Sequence, residues 1–198
     1  MTLCEDVREE SRQRRSIPVL KTERLTLRAP RLEDVKAIAL IADDRRIAEN
    51  TARIPHPYSV DDAREFIATV NRGEGEVAFA IVLDGTLIGV CGIDPREGGP
   101  EIGYWLGAAH WGYGYATETV RALIDYAFGE LEHEALVAGA RVSNPASRRV
   151  LEKCAFQWSG VRLTRIRAIN SAAPVDRFRL DRKLWVSLKR WAPVRRVA

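Results

Sequence analysis

Two apolar runs, Val77 to Leu83 and Leu87 to Ile93, are joined through the dipeptide Asp84-Gly85, and this arrangement constrains the fold more than any other on the chain. Asp-Gly tolerates the positive φ values of a type I′ turn, so the two runs read as an antiparallel hairpin. The periods around it set the rest. Leu25 and Leu27 alternate with polar neighbours before Pro30, which predicts a strand. A helix follows from about Leu32 to Asp43, burying Val35, Ile38 and Ile41 or Ala42. Ser59 with Asp61 and Asp62 reads as the N-cap of a second helix, with a stripe at Ala63, Phe66, Ile67 and Val70 and an end near Gly73. Between these helices, residues 44–58 contain Pro55, His56 and Pro57 and read as an irregular loop.

Downstream of the hairpin, Glu101 to Leu106 is a further strand, and Val120, Leu123, Ile124, Ala127 and Phe128 mark the clearest helix. Ala135 to Val142 is a strand. Asn144-Pro145 supplies an N-cap and a first-turn proline to a helix whose Val150, Leu151 and Cys154 face inward. Phe156 to Arg165 and Arg177 to Trp185 read as two closing strands. The order β-α-α-β-β-β-α-β-α-β-β predicts an α+β fold, a mixed and largely antiparallel sheet of about six to seven strands with helices on its faces.

With 198 residues, 46% hydrophobic and 29% charged, the chain has the balance of one soluble globular domain. We expect that domain over 20–185, between an Arg-rich extension at 1–19 and a basic tail at 186–198. No run reaches 18 apolar residues and the first 15 are charged, so neither a membrane span nor a signal peptide is expected and the cytoplasm is the expected compartment. Cys4, Cys91 and Cys154 are odd in number and lack CxxC spacing, which predicts reduced thiols, and no His/Cys cluster or HExxH predicts a metal. The tail with Trp185, Trp191 and Arg190 to Arg196 carries no RNA-binding signature, and neither DNA nor a membrane is an expected partner. Monomer and homodimer both remain open.

The segment 106–119 is the most informative. Gly112, Gly114 and Ala116 alternate with large residues between a strand and a helix start, where free N–H groups and the helix dipole favour an anion. A P-loop would need Gly-Lys-Ser/Thr, and a dinucleotide fingerprint would need glycine where Thr117 stands. A tight turn alone would also account for the two glycines.

Glu101-Ile-Gly-Tyr-Trp, Trp111-Gly-Tyr-Gly-Tyr-Ala-Thr-Glu, Asn144-x-x-Ser147 and Lys153-x-x-Phe156 together resemble the GCN5-related N-acetyltransferases, in particular the branch that acetylates N-terminal amines of ribosomal proteins. The resemblance spans about Leu20 to Trp185 and implies acetyl-CoA as co-substrate. It implies that the amides of Trp111, Gly112, Tyr113, Gly114, Tyr115 and Ala116 bind the pyrophosphate and that Leu106, on a splayed strand, pairs with the pantetheine arm. It further implies that Asn144 and Ser147 contact that arm and the sulfur; Arg148 or Lys153 is our candidate for the nucleotide phosphates. Trp111 stands where the family usually has Arg or Gln, and Ala155 replaces the usual glycine before Phe156. The tyrosine that many members use as general acid falls at Leu151, leaving Ser147 as the substitute candidate.

Acetyl transfer needs a neutral amine, a polarised thioester and a leaving thiolate. Glu101, on the strand leading into the loop, is the carboxylate candidate for relaying the amine proton, with a plain strand residue paired to an Arg as the competing expectation. The N–H of Leu106 or Gly107 could polarise the carbonyl. The acceptor site is expected at 44–58 and 170–176. Residues 1–140 hold 16 Lys/Arg against 24 Asp/Glu, and 141–198 hold 15 against 3. Asp43, Asp44, Glu49, Asp61, Asp62, Asp94 and Glu101 are therefore expected to draw a cationic or N-terminal amine. The alternatives are a small-molecule amine acetylase, acting on a polyamine, an amino acid or an aminoglycoside, and a non-catalytic acyl-CoA-binding regulator.

Overall fold

A computed structural model describes residues 17–73, 77–96 and 98–191. Its strands are β1 (Leu20–Lys21), β2 (Leu25–Arg28), β3 (Val77–Leu83), β4 (Thr86–Asp94), β5 (Glu101–Leu106), β6 (Ala135–Arg141), β7 (Gln157–Ile166) and β8 (Ser171–Asp181). Its helices are α1 (Val35–Ala42), α2 (Arg45–Ala48), α3 (Val60–Arg72), α4 (Tyr115–Gly129), α5 (Pro145–Lys153) and α6 (Arg182–Trp191). All eight strands form one sheet in the order β1-β2-β3-β4-β5-β6-β8-β7, and β5 with β6 is its one parallel pair. The expected mixed α+β sheet is therefore present with one strand more than the upper estimate; β1 is two residues long and too short to show an alternation.

Local chemistry places most of these elements where the pattern predicts. Asp84 and Gly85 take φ of 47° and 81°, as a type I′ turn requires. Ser59 and Asp62 close a capping box at α3, and Gly73 ends that helix in the left-handed region. Helices cover both faces. On one face α1 and α3 pack Val35, Ile38, Ala63 and Ile67 against Ala80, Val82 and Val90. On the other, α4 packs Val120, Leu123, Ala127 and Phe128 against Phe79, Ile81, Cys91 and Ile102, with Leu151 of α5 in the same core.

Three expectations are corrected. The loop at 44–58 contains a single helical turn, α2, capped by the Asp44 side chain, which accepts from the Arg46 N–H at 2.9 Å. Residues 171–176, expected in an acceptor loop, belong to β8. Pro174 does not interrupt that strand because its carbonyl faces β6 and accepts from Val142 N–H at 3.1 Å, so its missing N–H falls just beyond the last β6 pair, Arg141 with Val175. The last strand also ends at Asp181 instead of Trp185. Leu184 and Trp185 belong to a helical stripe: the Trp185 ring lies 5.3 Å from that of Phe128, and its N–H donates to Asp125 at 2.9 Å. A boundary at 186 thus falls inside α6, while most of the 1–19 extension, with Cys4, and the end of the tail lie outside the described residues. No helix among the described residues is long and apolar enough to cross a membrane.

Candidate active site

The β5–β6 ladder is only two pairs long, Glu101 with Val137 and Ile102 with Ala138, after which the strands part. Beyond Ile102, β5 pairs with β4 alone. Gly107 N–H bonds to Ile88 O at 2.8 Å, and this register turns the peptide groups of Gly103 and Trp105 to β4 and those of Tyr104 and Leu106 into the opening. Side chains alternate correspondingly. Tyr104 and Leu106 lie on the α4 side, and Glu101, Gly103 and Trp105 on the α1–α3 side.

The glycine loop closes the top of this opening. Gly112 and Gly114 both take φ of 85°, where an L side chain is strained, and a Cβ on Gly112 would meet nothing within 4 Å. Gly114 is the N-cap of α4 and offers no side-chain acceptor, so the donors of the first turn keep their capacity for an anion. Exposed glycines over an uncapped helix start fit a pyrophosphate cradle. Trp111, in place of the usual Arg or Gln, folds back and donates its indole N–H to Leu106 O at 2.7 Å. That bond ties the loop to β5 and occupies the Leu106 carbonyl, leaving its N–H as the group that faces the opening.

Asn144 caps α5: its Oδ1 accepts from Ser147 N–H at 3.0 Å, so its NH₂ is what remains for a ligand. Ser147 faces β5, with its Oγ 2.9 Å from the Tyr104 hydroxyl. Tyr104 is a site-lining side chain that the sequence analysis did not single out. Its strand and its face were readable, but the approach of α5 was not. Burial raises its pKa, outweighing the bond to Ser147, so the phenol stays protonated. Leu151 is fully buried in the core and takes no part.

The two phosphate candidates diverge. Arg148 turns to Glu152 at 2.9 Å and to the buried Asp176 of β8 at 3.4 Å. Lys153, at the other end of α5, lines an open groove of about 890 Å³ with Gly114, Thr117 and Arg121.

On the α1–α3 face, Glu101 Oε1 accepts from Arg177 Nη1 at 2.7 Å, which is the competing expectation for this residue. Gly139 makes that pair possible, because a Cβ there would lie 2.9 Å from Arg177 Nη1 and block its path across β6. A Cβ on Gly103 would meet nothing within 4 Å, so the floor beside Glu101 is open. Residues 49–53 are tied to the neighbouring strands through Arg141 and Asp94. Glu49 O accepts from Arg141 at 2.6 Å, and Arg53 and Arg96 reach Asp94 at 3.3 and 2.6 Å. The acids expected to attract a cation are engaged: Asp44 by Arg46, Glu49 by Arg45, Asp61 by Arg64, Asp62 by Ser59, and Asp43 by His56 and the Tyr58 N–H. Burial pushes the Tyr58 hydroxyl up to about 12, so it is neutral at physiological pH.

Cys91 and Cys154 are buried free thiols, and burial raises both, Cys154 to about 11. Neither is a poised nucleophile. Among the described residues no group of three or more His, Cys, Asp and Glu could hold a metal ion.

A sheet opened between two parallel strands, with a bare glycine loop and a part-buried hydroxyl pair on one face and an open floor beside a carboxylate on the other, has the form a two-substrate transferase requires. The chain belongs to the GNAT acetyltransferases: the family model for the acetyltransferase (GNAT) domain matches residues 24–157. It is 37% identical over 150 residues to the uncharacterized N-acetyltransferase p20 of Bacillus licheniformis, covering 72% of this chain and 84% of that protein. It is 31% identical over 147 residues to the protein named "putative ribosomal N-acetyltransferase YdaF" of Bacillus subtilis, covering 70% and 80%. The structure of Mycobacterium smegmatis RimJ in complex with CoA-disulfide shares the fold, with a TM-score of 0.74 at 20% identity over 88% of this chain and 96% of that one. The protein is accordingly an N-acetyltransferase with acetyl-CoA as co-substrate.

Proposed function

We propose that this protein acetylates the α-amine at a protein N-terminus, with the donor and the acceptor entering from opposite faces of the sheet. The opening beyond Ile102 carries the reading, because there the cradle on the α4 side and the floor at Gly103 on the other meet. Acetyl-CoA supplies the thioester and its leaving thiol. The loop amides bind phosphate, Leu106 N–H faces the opening, and Ser147 Oγ holds a proton toward the sulfur. Glu101 stands at the vertex, on the amine side. An α-amine, with a reference pKa near 8, yields its proton far more readily at neutral pH than a lysine-like ammonium near 10.4. The arginine partners of the surrounding acids support a singly charged amine over a polycation, and the ribosomal name of the 31% relative agrees.

A panel of Ala- and Ser-initiated peptides, spermidine, lysine and an aminoglycoside, read by thiol release, tests this. The peptides are expected to give the highest kcat/KM. Faster turnover of spermidine or the aminoglycoside would overturn the acceptor assignment, and no thiol release with any amine would favour the acyl-CoA-binding regulator.

The roles of Ser147 and Tyr104 separate in the same assay. A phenol raised well above a thiol's ordinary value of about 8.5 is a poor acid toward a thiolate, so Tyr104 positions the Ser147 hydroxyl and gives up no proton of its own. Ser147→Ala and Tyr104→Phe are each expected to lower kcat up to about tenfold, the scale of one hydrogen bond, with little change in the KM for acetyl-CoA. The double variant should lose little more than either single one. Additive losses would show that the two hydroxyls act independently.

A further inference from the structure

We propose that Arg24, from the turn between β1 and β2, and Glu118, in the first turn of α4, form a charge clamp that presets the glycine loop for phosphate. The inference rests on the reading of 111–116 as the pyrophosphate cradle.

Arg24 is remote in sequence from the loop and meets it at several points. Its Nε and Nη2 reach Glu118 Oε2 at 2.8 and 2.7 Å, and its Nη1 donates to Tyr113 O at 3.0 Å. Its guanidinium lies 4.5 Å from the centroid of the Tyr115 ring, which in turn stacks on Tyr113 at 5.9 Å. The other oxygen of Glu118 accepts from Arg24 N–H at 2.8 Å and from the Thr22 hydroxyl at 2.6 Å. Burial works to raise the Glu118 carboxyl, but the bonds from Thr22 and Arg24 outweigh it and hold the group below its ordinary value. The carboxylate is therefore charged at neutral pH.

Two consequences follow for the loop. A trans peptide points its C=O and N–H in opposite directions, so drawing Tyr113 O to Arg24 turns the Gly114 N–H away from Arg24. The clamp thus selects the face on which one of the loop's donors is presented. The second consequence is electrostatic. A carboxylate in the first turn of a helix competes with any anion for the same dipole and donors, and Glu118 would do so if its charge were bare. Arg24 cancels that charge at contact distance, and the groove beside it continues to Arg121 and Lys153.

Calorimetric titration with CoA of Arg24→Gln, Glu118→Gln and the double variant tests the clamp, with circular dichroism as the control for folding. Arg24→Gln is expected to raise the Kd at least about fivefold. Adding Glu118→Gln to that chain should recover part of the loss, because it removes the carboxylate that Arg24→Gln uncovers. A purely mechanical strut predicts the opposite, a double variant at least as weak as Arg24→Gln. Unchanged affinity in Arg24→Gln, or no recovery in the double variant, would overturn the proposal. Should Arg24→Gln fail to fold, Arg24→Lys keeps the charge but cannot span both Glu118 and Tyr113 O. It is expected to lose about threefold, and wild-type affinity in it overturns the clamp. Absence of CoA binding by the wild-type chain would sink the cradle reading itself; binding that survives every variant would sink only the clamp.

Discussion

Gly112→Val and Gly114→Val each raise the Kd for acetyl-CoA tenfold or more, about 1.4 kcal/mol, while the far-ultraviolet circular dichroism stays that of the wild type. Both glycines hold φ of 85°, a region that costs an L residue roughly 1–2 kcal/mol and a β-branched one more. A valine at either position must therefore move the loop out of the conformation that presents its amides. Neither site is packed: a Cβ at 112 meets nothing within 4 Å, and one at 114 meets only Arg24 Nη2 at 3.5 Å. The expected loss is therefore one of binding, with the core untouched. Wild-type affinity in both variants, with intact dichroism, would remove the cradle from this account.

Glu101→Gln is expected to lower kcat/KM about a hundredfold below the pKa of the acceptor amine and to leave acetyl-CoA affinity unchanged, the range of a single proton relay. The sign follows from the amine. Below its pKa the acceptor arrives as an ammonium and needs a base, whereas above it the free amine attacks unaided, so the deficit should shrink as pH rises. The bond to Arg177 Nη1 makes the comparison decisive. An equal deficit at every pH would show that Glu101 orients Arg177 and the floor of the site without moving a proton. Arg177→Lys distinguishes the cases further: it keeps a cation beside Glu101 but cannot reproduce the planar fork. A pH-dependent deficit confined to Glu101→Gln would support the relay, and parallel, pH-independent deficits in both variants would support positioning.

Local chemistry made much of this molecule legible. The Asp84-Gly85 turn, the Ser59 capping box, the Asn144-Pro145 helix start and the stripe from Val120 to Phe128 each depend on residues close in sequence, and each forms where its pattern predicts. The glycine loop was legible for the same reason, since spacing alone marked a backbone left bare at a helix start. Exchanging strand for helix after Asp181 was the failure of that reasoning. Arg177 to Leu180 alternates, and only the packing of Trp185 on Phe128 of α4 shows where the alternation stops.

What the tertiary structure alone decided is which side chains meet. Charge counted along the chain predicted an acidic acceptor region, yet arginines neutralise several of those acids: near neighbours pair with Asp44, Glu49 and Asp61, and from a distance Arg53 reaches Asp94 and Arg177 reaches Glu101 across Gly139. The Tyr104–Ser147 contact likewise joins a strand and a helix 43 residues apart. Periodicity encodes which face a residue occupies, because face depends on the local backbone repeat. The partner across that face depends on sheet order and on where β5 leaves β6, which arise only when the whole sheet closes its core.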